Sequence, residues 1–141
     1  MNGLHLLAQV AGRTVAIESG QVESVVDIGE ITAVPRASGV VRGLAALRSR
    51  VVTVIDTRVA LGLPSDGAAH RAVIIVADGH HYALLVDALE DVAVFQVQPL
   101  ANGVALDAAW AGIARGLVER DGEPVLAVDL AALIPLAAAA A

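Results

Sequence analysis

Two aspartates and a run of two histidines are the residues in this chain whose types could support chemistry. Asp56 and Asp129 stand at matching places in two similar stretches, 73 residues apart, and paired carboxylates can divide acid and base roles between them. Each, however, follows an apolar strand-like run and precedes a short apolar segment. There a carboxylate accepts the free N–H groups of a first helical turn. No histidine, lysine or serine motif accompanies either one to complete a catalytic set, so both are read as helix caps. His80 and His81 are adjacent, and neighbours on a strand point to opposite faces. They cannot hold one ion together, and His5 and His70 add no ligand spacing, so no metal site is expected. Ser19, in Glu18-Ser19-Gly20, lacks the Gly-x-Ser-x-Gly nucleophile elbow. Glycines stand singly at turns, which leaves no phosphate cradle and no cofactor to expect. The chain has neither cysteine nor lysine, which removes thiol nucleophiles, zinc-thiolate sites and Schiff bases. Nothing here reads as an enzyme.

The arginines read differently. All nine basic residues are arginines, and Arg42, Arg48, Arg50 and Arg58 fall within 17 residues of a chain whose net charge is −6. They could form an ordinary solvated rim, with ion pairs of about 0–1 kcal/mol each, or a protein-docking edge, because arginine is favoured at interface hot spots. The acidic balance and only three aromatics (Tyr82, Phe95 and Trp110) argue against nucleic acid, which needs a basic face and stacking rings. The longest uncharged run, residues 92–106, is 15 residues long and broken by Gln96, Gln98, Pro99 and Asn102. That is short of the ~18–20 apolar residues a spanning helix needs, and no basic segment precedes an apolar one at the start. A cytoplasmic protein with no direct membrane insertion and no small-molecule substrate is expected, with other proteins as its partners.

The elements that must position these residues follow from periodicity. Strands are expected at 4–10 and 13–18 around Ala11-Gly12, at 21–28 after Ser19-Gly20, and at 42–47 and 51–55 around Arg48-Ser49-Arg50. Asp56 then opens one or two helical turns that Gly62 and Pro64 stop. After a polar linker at 65–70, strands are expected at 71–77 and 80–86 around Asp78-Gly79, a strong hairpin signal. A strand at 89–98, a connection at 99–110, a hairpin of 112–119 with 124–128, and a short helix at 130–134 follow. The alanine-rich end, 136–141, is expected to fray. Arg115-Gly116-Leu117 repeats Arg42-Gly43-Leu44, and Val125, Val128 and Asp129 repeat Val52, Ile55 and Asp56. Ala16, Val22, Glu23 and Val25 correspond to Ala83, Leu89, Glu90 and Val92 at an offset of 67. The fold expected is mainly β: one domain over 1–141 made of two pseudo-symmetric five-stranded barrels with short helices, interlocked as halves 1–64 and 71–136. Halves this small have marginal cores and must lean on one another.

Beyond this reading, PRASGVVRGLAALRSRVVTVIDTRVALGLP, from Pro35 on, resembles the signature region of CheW-like domains of bacterial chemosensory systems. That pattern runs Val-(Arg/Lys)-Gly-Val-x-Asn-Leu-Arg-Gly-x-(Val/Ile)-(Val/Ile)-Pro-(Val/Ile)-(Val/Ile)-Asp-Leu-Arg. Val41-Arg42-Gly43-Leu44, Leu47-Arg48 and Val54-Ile55-Asp56-Thr57-Arg58 fit it closely, and the likeness extends over nearly the whole chain. It implies a scaffold adaptor without enzymatic activity, coupling a chemoreceptor's cytoplasmic helical tip to the regulatory domain of a histidine autokinase. The alternative is a divergent relative in a non-chemotactic pathway, or a competing, non-productive array component. Carried over by position, the resemblance places Val22, Ser24, Leu47 and Arg48 at the receptor-facing surface; the arginine cluster itself, apart from any resemblance, offers Arg42, Arg50 and Arg58 as interface rim. Four positions depart from the pattern. Ala46 stands for Asn, Ser49 for Gly, Thr53 for Pro, and Ser24 for a frequent Glu. Ser49 is expected to occupy a turn position that favours positive φ.

Overall fold

Two-residue turns set the local pairing. Ala11-Gly12, Asp78-Gly79 and Asp121-Gly122 all have positive φ at both positions, the turn whose twist matches paired strands. The structure, a computed structural model, describes residues 2–36, 39–65, 67, 70–100 and 106–134. In chain order it contains β1 (Asn2–Val10), β2 (Arg13–Glu18), β3 (Ser24–Asp27), β4 (Val41–Leu47) and β5 (Arg50–Ile55), then α1 (Thr57–Ala60). There follow β6 (Arg71–Ala77), β7 (His80–Val86), β8 (Ala88–Gln96), α2 (Ala108–Ile113), β9 (Ala114–Arg120) and β10 (Glu123–Val128). Short 3-10 turns occupy Ser19–Gln21 and Leu130–Leu133.

The strands form two five-stranded sheets, with orders β8-β1-β2-β10-β9 and β3-β6-β7-β5-β4. Under the sequence repeat the two orders are the same order. The sheets do not, however, divide the chain at the 65–70 linker as the expected halves 1–64 and 71–136 would. The first hairpin of each half lies in the other half's sheet, fastened by the parallel pairs β2–β10 and β5–β7. The physical reason is burial. A half of this size encloses too little apolar surface alone, and the exchange makes each core a joint product.

Between the sheets, Val15, Ile17, Ile55, Val73, Ile75, Tyr82, Leu84 and Trp110 share the largest core. Each sheet also curls around a smaller one, with Val52, Val54 and Ile74 in one and Leu7, Val118 and Val125 in the other. Curling brings the outer strands of each sheet together at one end. Thr32 and Leu44 exchange two 2.8 Å backbone hydrogen bonds just past β3, and Gln98 and Leu117 do the same just past β8. The repeated glycine makes both closures fit. A Cβ on Gly43 would lie 2.3 Å from the Thr32 carbonyl oxygen, and one on Gly116 would lie 2.4 Å from that of Gln98.

Three elements differ from the pattern reading. The third strand begins at Ser24 because the 3-10 turn takes Ser19–Gln21. Residues 108–113, expected as connection and strand start, form α2, which buries Trp110 and Ile113 against the main core. Alanine at three of its six positions favours helix, and packing of Trp110 outweighs the Gly112 near its end. Leu130–Leu133 is a 3-10 turn rather than an α-helix. The alanine-rich end and parts of the linker (66, 68 and 69) lie outside the described residues.

Candidate functional site

The repeated Arg-Gly and Asp residues meet. Ladder pairing skips one residue in β4 between Val41 and Gly43 and one in β9 between Ala114 and Gly116. A bulge of this kind re-aims the extra side chain, here Arg42 and Arg115. Each turns onto the aspartate 14 residues later. Arg42 Nη2 lies 2.7 Å from Asp56 Oδ2 and also donates to the Ser65 hydroxyl at 2.7 Å. Arg115 Nη2 lies 3.3 Å from Asp129 Oδ2. The other oxygen of each carboxylate caps a turn, Asp56 accepting from Val59 N–H at 3.2 Å and Asp129 from Ala131 N–H at 3.1 Å. Burial pushes the Asp56 carboxyl up. Hydrogen bonds from Ser65, Arg42 and the Val59 N–H outweigh it and hold the group below the ordinary value. Asp56 keeps only 6% of its side chain exposed and Arg42 only 20%, so this pair is an internal clasp and Arg42 is turned away from any rim. The two aspartates close separate turns and form no shared acid–base pair.

Of the residues carried over to a receptor surface, Ser24, Leu47 and Arg48 come together. They line a groove of about 790 Å³ between β3 and β4, the two outer strands of one sheet, with Arg50 at its rim and Val52 and Ile74 on its floor. The Leu47-Arg48-Ser49-Arg50 corner bends with positive φ at Arg48 (56°) and not at Ser49. The strain expected at Ser49 therefore falls on Arg48, at a cost of about 1 kcal/mol for a side chain with a Cβ. Arg50 is committed to Glu23, 2.9 Å away, and His81 holds the other Glu23 oxygen at 3.1 Å. Arg58 donates from Nε to the Pro64 carbonyl at 2.9 Å. Among the described residues Arg48 has no ion-pair partner. His80 is exposed on the hairpin end, and no cluster of metal-binding side chains forms among the described residues.

Val22 lies elsewhere. With Val25 it packs against the main core, while Ser24, between them, turns to the groove. β3 is thus a wall with two sides. The sheet that carries β1 and β8 presents an exposed apolar strip of its own. Leu4 pairs with Val94 and Leu6 with Val92, and cross-strand partners share a face. Leu4, Val92 and Val94 are 45%, 53% and 64% exposed. Periodicity did not single them out, because apolar residues on a strand read first as core. The repeat offers the missing signal. At the offset of 67, Leu4 and Val94 correspond to Arg71 and Asp27, which form a 3.0 Å ion pair in the other sheet. Where one sheet presents a charged pair to water, the other presents bare aliphatics.

Comparison with known proteins agrees with this architecture. The sequence profile of the CheW-like domain matches residues 4–138. Among solved structures, the chain is similar to the scaffolding protein TtCheW from Thermoanaerobacter tengcongensis, with a TM-score of 0.80 and 21% identity, over 96% of this chain and 94% of that one. No curated protein gives a significant sequence match. Among the described residues no helix is long and apolar enough to cross a membrane.

Proposed function

The chain belongs to the CheW-like domain family, and on that premise we propose that it is a non-enzymatic adaptor of a bacterial chemosensory array, coupling chemoreceptors to a histidine autokinase. The observation that supports this most directly is the apolar strip. An amphipathic helix docks by laying one apolar stripe into a complementary surface, and a strip of Leu4, Val92 and Val94 suits it. β8 is nine residues long, which is about 30 Å of strand and matches roughly twenty residues of helix. We place the receptor's helical tip there. Ser24, Leu47 and Arg48, in the groove between β3 and β4, are left for a second partner, with Arg50 and Arg58 flanking them. Two separate docking surfaces are what a coupling protein requires. Its place of action is then the cytoplasmic face of the array.

Co-sedimentation with receptor cytoplasmic fragments and the kinase tests this reading. Val94→Asp puts a charge in the middle of the strip. The adaptor reading expects receptor capture to fall at least thirtyfold, about 2 kcal/mol, with unfolding stability unchanged to about 0.5 kcal/mol because the site is exposed. Full receptor capture by Val94→Asp would remove the strip from the interface. No binding of the native chain to either partner would remove the array role while leaving the fold untouched.

A further inference from the structure

The groove between β3 and β4 differs from its pseudo-symmetric counterpart in one decisive respect. In the other sheet, Arg120 on β9 reaches Glu90 on β8 at 2.9 Å, tying the two outer strands directly, and Thr14 donates to the second Glu90 oxygen at 3.0 Å. Under the repeat, Glu90 corresponds to Glu23, Thr14 to His81, and Arg120 to Leu47. His81 and Glu23 keep their contact. Leu47 cannot supply the tie, and Glu23 is held instead by Arg50 of β5. Among the described residues no ion pair joins β3 to β4. The backbone closure of the sheet lies at its far end, between Thr32 and Leu44.

From this the geometry points to an extended polypeptide segment as the occupant of the groove, added as a strand between β3 and β4. Both walls are outer strands of the same sheet, and an outer strand presents unpaired N–H and C=O groups on its free side. A helix laid there would bury those groups while offering no free backbone partner of its own, and unpaired buried polar groups are costly. A strand satisfies them. Alternate side chains of the guest would face the apolar floor of Val26, Val52 and Ile74, so the guest needs apolar residues at every second position. The charges also select. Asp27 is paired with Arg71 and Glu23 with Arg50 and His81, whereas Arg48 at the groove's end has no ion-pair partner among the described residues. An acidic residue at the end of the guest answers it. This conclusion stands on the sheet's outer strands and holds whether or not the receptor docks on the strip.

The test uses the full chain and a capped peptide of alternating threonine and valine with a glutamate at each end. Amide hydrogen exchange, read residue by residue, is expected to slow along Ser24–Asp27 and Ala46–Leu47 as the peptide is added. An analogue with N-methylated valines cannot donate from those positions and should bind at least tenfold more weakly. Arg48→Ala should weaken the parent peptide severalfold. Leu47→Arg, which supplies the tie that Arg120 provides in the other sheet, should abolish its binding while the chain stays folded. Equal binding by the N-methylated analogue, slowing confined to other strands, or no slowing at all in the folded chain would each overturn the proposal. So would preferential slowing of the same amides by an amphipathic helical peptide.

Discussion

The Arg-Gly pairs at Arg42-Gly43 and Arg115-Gly116 combine two tasks in adjacent residues. The arginine, thrown out of register by a bulge, reaches a capping aspartate; the glycine lets a carbonyl from the closing strand come within what would be its Cβ's space. Gly43→Ala or Gly116→Ala should therefore destabilise the fold by about 2–4 kcal/mol, since backbone on one side and core on the other leave nothing flexible to move. Urea unfolding of the two variants measures this. The clasp also carries a pH signature. The Asp56 carboxyl sits below its ordinary value of 3.8, so its stabilisation is complete above that value and disappears as pH falls through the lower folded value. Asp56→Asn should be less stable than the native chain at pH 7 and should flatten the stability profile below about pH 4, as followed by thermal unfolding across pH. The paired motif was legible in the sequence as a repeat. Its meaning was not, because a bulge is a property of the partner strand's register and leaves no local mark.

At the scale of elements, the hairpins were readable and the coverings were not. Turn pairs such as Asp78-Gly79 specify their own geometry within four residues, which is why β6 and β7 fall where pattern places them. α2 does not specify itself. Six residues are too few for a helix to persist alone, and it exists because Trp110 and Ile113 dock on the main core while the Arg13 guanidinium lies 4.6 Å from the centre of the Trp110 ring. Trp110→Ala should cost about 3–5 kcal/mol. Arg13→Ala should cost only about 0.5–1 kcal/mol, the range of an exposed cation–π contact. Chemical denaturation followed by far-ultraviolet circular dichroism separates the two. The exposed strip on β8 was hidden for a related reason. Val94 looks like core until the second sheet shows the same position occupied by a charge, Asp27.

The whole molecule is organised by an exchange that no short stretch of sequence encodes. Strand pattern says which residues form hairpins, but which hairpin joins which sheet depends on burial summed over the entire chain. The expected plan of two five-stranded units holds in strand number, and the assignment of strands to sheets differs from it. The exchange predicts the behaviour of fragments. Residues 1–64 and 65–141, expressed separately, should each fail to fold, because each fragment holds three strands of one five-stranded sheet and only two of the other. Mixed at equal concentration they should recover the native circular dichroism spectrum and a single complex on size-exclusion chromatography. A folded fragment 1–64 on its own would contradict the joint-core account.

The same exchange sets the order in which the protein can come into being. The hairpin of β1 and β2 is made first, yet its sheet partners are β8, β9 and β10, and about 100 residues separate the end of β2 from the start of β10. At ribosomal speeds of about 5–20 residues per second, that hairpin waits on the order of 5–20 s with an apolar face exposed. Its native partners do not yet exist. The segment Leu4–Val10, which carries Leu4, Leu6, Leu7 and Val10, is where a nascent chain should engage a chaperone and where premature termination should lead to aggregation.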